Sequence, residues 1–147
     1  MFGKIFGKKV NNAKAELKKV ENRDLMQAIV GACVLIAGAD GELETAELDT
    51  IEKAIRSNPS LAHFGPEITT TMGQFKDQLA AGFRLAKVKI MREIADIKNN
   101  QQDAEEVFVN AITIAESDGE IEPAELAVLA EIGRTLGLRL QDYGISA

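Results

Sequence analysis

The chain has no tryptophan, one tyrosine, one histidine and one cysteine. A single Cys excludes an intramolecular disulfide, and a chain without disulfides fits a reducing, cytoplasmic setting. Cys33 lies in an apolar run and reads as a small buried hydrophobe, with no helper to make it a nucleophile. His63 likewise has no partner in sequence that would make it catalytic. Three prolines and twelve glycines leave no long linker, so the 147 residues read as one domain. The longest apolar run, residues 28–39, is too short to cross a bilayer and predicts a buried helix. The N-terminus lacks a signal-peptide apolar region. A Gly-rich phosphate loop, an oxyanion device and a nucleophile–base pair are all missing. These absences predict a protein that is not an enzyme and has no organic cofactor.

Charge is present but unevenly spread. The net charge is −6, yet residues 1–24 carry +4 and residues 99–147 hold ten acids against two bases. An acidic body argues against nucleic acid as a partner. The leader, residues 1–22, reads as a basic, weakly amphipathic segment preceding a domain at 23–147. Phe2, Ile5 and Phe6 beside Lys4, Lys8 and Lys9 form a small hook for a protein partner or for the inner face of a membrane. So short an apolar turn would hold a membrane only marginally.

Apolar periodicity is helical nearly throughout and predicts an all-α fold. A buried helix is expected at about 24–38, with Asn22 or Asp24 as its N-cap and Gly41 at its stop. Helices follow at about 45–56, from Pro66, after Gly82, from Asp103 to about Ser117, and at 123–136. Asn99-Asn100 is read as the end of the fourth. Leu140, Tyr143 and Ile145 are expected to pack the tail.

One pattern occurs twice. Ala37-Gly-Ala-Asp-Gly-Glu-Leu-Glu-Thr-Ala-Glu-Leu48 returns 78 positions on as Ala115-Glu-Ser-Asp-Gly-Glu-Ile-Glu-Pro-Ala-Glu-Leu126, with eight of twelve positions identical. Four of those eight are acidic: Asp40, Glu42, Glu44 and Glu47, matched by Asp118, Glu120, Glu122 and Glu125. The whole therefore reads as a compact helical bundle containing a duplicated helix–acidic loop–helix unit.

Two readings of the repeat stand side by side. In one it is a helix corner: Gly41 and Gly119 stop a helix, Glu residues favour the next N-terminus, and Leu43 and Ile121 staple the turn to the core. That leaves Asp40 and Asp118 at helix C-termini, where the macrodipole disfavours them. In the other, the two loops meet and make one cation site from Asp40, Glu42, Glu47, Asp118, Glu120 and Glu125. Carboxylates without His or Cys suit Ca²⁺, Mg²⁺ or Mn²⁺. Neither loop is an EF-hand, because the first and third ligand positions fall on Ile36 and Gly38, and on Ile114 and Glu116. A metal-free acidic scaffold that binds a basic protein is the alternative function.

The elements Ile-Ala-Gly-Ala-Asp-Gly-Glu and Ile-Ala-Glu-Ser-Asp-Gly-Glu-Ile, the lysine-rich leader and the Leu-Gly-Leu tail ending in Tyr-Gly-Ile resemble the TerB, or tellurite-resistance, family. The resemblance implies a helical domain with pseudo-twofold duplication and an acidic metal-binding cluster. It also implies a role in tellurite and other stress responses. Partners would be proteins, including calcium-binding TerD-like ones in membrane-associated complexes.

Overall fold

In the computed structural model, helix α1 (22–37) is enclosed on almost every side, and every residue from Ala28 to Ala37 is buried. A helix apolar around its whole circumference has no face to offer water, so the other helices must surround it. The structure describes residues 22–146. The chain continues as α2 (Thr45–Arg56), α3 (Pro66–Ala81), α4 (Phe83–Asp96), α5 (Gln101–Ala115) and α6 (Pro123–Leu136). Short 3₁₀ turns at Ala62–Phe64 and Leu140–Tyr143 complete the fold, and no strand occurs among the described residues. The all-α expectation holds.

Close approach to α1 depends on small residues. A Cβ at Gly31 would lie 2.7 Å from Ile90 of α4, and one at Gly38 would lie 3.2 Å from Leu79 of α3. Helix α3 packs on α4, α4 on α6, α5 on α6, and α2 spans α3 and α5. The predicted stripes point inward: Ile51 and Ile55, then Ile68, Met72 and Phe75, then Ala86, Ile90 and Ile94 are buried. Met26 is fully buried and Met91 packs on the core, so neither is a free ligand. Polar ties cross the surface between helices. Arg23 meets Glu67 at 2.8 Å, Lys87 meets Glu131 at 3.1 Å, and Thr69 donates to Glu52 at 2.7 Å.

Several boundaries differ from the sequence reading. Asn22 and Asp24 lie inside α1 rather than at its cap, since the helix already runs at residue 22. Arg23 anchors that end by pairing with Glu67 and lying 5.6 Å above the Phe64 ring. Asn100 does not end a helix but starts α5: its side chain accepts the Asp103 N–H at 3.2 Å, so the helix begins at Gln101. The tail docks as expected, with Leu140 buried and Tyr143 edge-on to Phe108 at 5.0 Å between ring centroids.

Candidate functional site

The two Asp-Gly-Glu elements form helix-to-helix corners with the same backbone. In the first, the N–H groups of Gly38, Ala39, Gly41 and Leu48 donate to the carbonyls of Val34, Ile36, Gly38 and Glu44. In the second, Glu116, Ser117, Gly119 and Leu126 donate to Ile112, Ile114, Glu116 and Glu122, each bond displaced by the sequence spacing of the repeat. Gly41 and Gly119 sit at φ 92° and 98°, where a side chain is strained, so both corners need glycine there. Leu43 and Ile121 are half-buried against the core, as a staple requires.

The corners face each other. Between them lies an open cleft of about 200 Å³, lined by Glu44, Glu47 and Thr50 from the first unit and Ser117, Asp118 and Glu125 from the second. Burial raises the Glu47 carboxyl above its ordinary value, and the charges of Glu44, Asp40, Asp118 and Glu125 raise it further. Burial also raises Glu125. The Glu122 N–H, bonded to it, acts the other way, and Glu122, Asp118 and Asp40 add to the rise. Each corner thus acts on an acid of the other. Among the described residues these acids form no ion pair.

Identical letters take unequal roles in the two corners. Asp40 Oδ1 accepts the Glu42 N–H at 2.9 Å, closing a local turn. That bond offsets its unfavourable place after α1. Asp118 has no matching bond and lines the cleft. In the second corner Glu125 accepts the Glu122 N–H at 3.0 Å and the Glu122 side chain accepts the Glu125 N–H, a reciprocal capping box. Glu47, its counterpart, makes no such bond. Asp40 and Glu125 are therefore tied to the backbone, while their counterparts Asp118 and Glu47 make no such bond.

Of the six predicted ligands, Asp40, Glu47, Asp118 and Glu125 belong to this shared environment. Glu42 and Glu120 are exposed, line none of the cleft, and are not among the charges that act on Glu47 or Glu125. Glu44 was not among the predicted ligands, yet it lines the cleft and is the first neighbouring charge on Glu47. Its signal was the Glu-x-x-Glu spacing across the N-terminus of α2, which capping alone also explains. No three His, Cys, Asp or Glu side chains converge as a ready ligand set among the described residues.

Cys33 is fully buried, which pushes its thiol up to about 12. His63 is exposed, its ring tilted against that of Phe64 at 4.2 Å between centroids. Phe2, Lys4, Ile5, Phe6, Lys8 and Lys9 lie outside the described residues. No described helix is long and apolar enough to cross a membrane.

Comparison with curated proteins and with solved structures gave no match to either. A family model described as tellurite resistance protein TerB does match, over residues 26–145, from within the central helix through both acidic corners to the docked tail. On that match the chain belongs to the TerB family.

Proposed function

We propose that this TerB-family domain is a non-enzymatic module that takes a hydrated hard divalent cation between its two acidic corners and acts through protein partners, TerD-like ones included. The observation that supports this reading is the mutual charge pressure of the corners: Glu47 feels Asp118 and Glu125, and Glu125 feels Asp40. A cation in the cleft relieves that pressure, and oxygen donors alone favour Ca²⁺, Mg²⁺ or Mn²⁺. Because no three carboxylates converge, water must complete the coordination, and the binding is weak and exchangeable. Neutralising both corners at once would tie α1–α2 to α5–α6. A partner that recognises one setting of these pairs would then sense the ion. The family's link to tellurite and related stress supplies the biological setting, and no chemistry on tellurite itself is assigned to the buried Cys33.

The test is thermal melting with Ca²⁺, Mg²⁺ or Mn²⁺, comparing wild type with Glu47→Gln/Asp118→Asn. Wild type should rise in melting temperature as ion is added, and the variant much less. If none of the three ions moves wild type, or the variant responds equally, the cation reading fails.

The openness of the cleft and the lack of a converged ligand set favour a second reading, in which the acidic face binds a basic protein directly. A Lys/Arg-rich peptide should then bind with strong salt dependence and without sensitivity to chelator.

A further inference from the structure

The outer face of α4 carries a pattern that the acidic corners do not use. Leu85 and Val88 are 64% and 48% exposed, two of only three large hydrophobic side chains so exposed among the described residues. At helical spacing they continue into Met91 and Ala95, making a stripe of about three turns, roughly 15 Å long. Val88, Met91 and Ala95 border a groove of about 280 Å³ whose far wall is Glu131 of α6, held by Lys87. The inward face of the helix, Ala86, Ile90 and Ile94, is already spent on the core.

The stripe is framed by cations. Arg84, Lys89 and Arg92 are exposed, and none has an acidic partner among the described residues. On a protein of net charge −6, a helix face with three unmatched cations is a local inversion of sign. Exposed apolar side chains inside a charged frame are the usual composition of an interaction surface.

Charge and shape select the occupant. An anionic membrane would find only two well-exposed apolar side chains to insert, on a groove walled by α6. The chain's own residues 1–21 hold six Lys and two Glu, the same sign as the frame. A helix with apolar residues along one side and carboxylates along its flanks matches both the groove and the cations. We propose that the outer face of α4, with its groove against α6, docks an acidic amphipathic helical segment of a partner protein.

The probe is a fluorescein-labelled synthetic helix of about sixteen residues, roughly 24 Å long. It carries Leu at every third or fourth position and Glu along the flanks. Fluorescence anisotropy with the full chain should show binding that weakens about tenfold between low and high salt. Leu85→Ser/Val88→Ser and, separately, Arg84→Glu/Lys89→Glu/Arg92→Glu should each weaken it by about tenfold or more. The charge-reversed variant should in turn bind the same peptide with Lys in place of Glu, a gain that misfolding cannot produce. The proposal is overturned if wild type does not bind the probe, or if a scrambled peptide of equal charge binds as well. It is also overturned if phosphatidylserine vesicles, or a second copy of the chain, engage this face in a way that both variants abolish.

Discussion

Glu47 and Glu125, equivalent positions in the two halves of the repeat, share one cleft, and each carboxyl is raised by burial and by acids of both corners. This pairing makes the acidic corners a source of instability at neutral pH.

The pH dependence follows from the direction of the two shifts. A raised folded value means that the folded chain holds these protons more tightly than the unfolded chain. The resulting stabilisation is complete below the ordinary value of 4.5 and is lost as pH rises through the raised folded values. Glu52, lowered by its bonds to Thr69 and Arg56, works in the opposite direction, and only below that range. Glu47→Gln/Glu125→Gln should therefore melt above wild type at pH 7, by about 2–4 °C if roughly 1 kcal/mol of repulsion is removed. The gap should close as pH falls towards 4.5. Gln can still accept the Glu122 N–H, so the cap is kept. Calorimetric melts across this range, without divalent ions, are the check.

The corner glycines isolate backbone strain from packing. A Cβ at Gly41 or Gly119 meets nothing within 4 Å, yet both residues have strongly positive φ. Gly41→Ala and Gly119→Ala should each cost about 1–2 kcal/mol in urea unfolding. Gly119→Asn should cost less, since Asn tolerates positive φ better.

Helix-interior glycines separate the opposite way. A Cβ at Gly133 would lie 2.8 Å from the Leu138 carbonyl oxygen and 3.1 Å from the Phe108 ring, whereas at Gly31 the nearest atom belongs to the Ile90 side chain. Ile90 Cγ2 is fixed to a branched Cβ in a fully buried side chain, so it yields little more than a backbone carbonyl. The Leu138 segment is also held by its own N–H, which donates to the Gly133 carbonyl at 2.8 Å. Gly133→Ala should lose about 1–3 kcal/mol despite the better helix propensity of Ala. Gly31→Ala should lose a similar amount, through Ile90 rather than through the backbone. Denaturant midpoints for the two variants check both losses.

Cys33 should report global unfolding. Its thiol is enclosed in α1 and pushed up to about 12. Labelling by a thiol reagent at pH 8 should be undetectable in the native chain and should appear along the same denaturant curve as loss of helix. Labelling well before that transition would show that α1 opens locally.

Much of the fold was legible because punctuation and periodicity are local. Pro66 and Pro123 start α3 and α6, Gly82 separates α3 from α4, and Gly137 ends α6 at φ 72°. Where punctuation was ambiguous the reading slipped. Asn100 is equally at home ending one helix or capping the next, and only its bond to the Asp103 N–H decides for the cap. Asn22 and Asp24 look like caps in sequence, but the helix runs through them.

The site was legible only in part. The repeated carboxylates predicted that two acidic corners exist, and the family match agrees with the motifs that carried the resemblance. Which carboxylates share a cleft was not written in the repeat. Glu42 and Glu120 repeat as faithfully as Glu47 and Glu125, yet they are exposed away from the cleft. Asp40 and Asp118 are the same letter in the same turn. Asp40 closes on the Glu42 N–H, while Asp118 lines the cleft without such a bond.

By itself the sequence determined the all-helical class, the helix ends at Gly and Pro, the inward stripes and the presence of two like corners. All of these depend on residues within a few positions of one another, through φ preferences and helical spacing. Tertiary structure alone decided that the corners meet, that Glu44 joins them while Glu42 and Glu120 do not, and that Leu85 and Val88 of α4 remain uncovered. These depend on how helices far apart in sequence pack around α1, and a periodic pattern shows that a face is apolar without showing what lies against it.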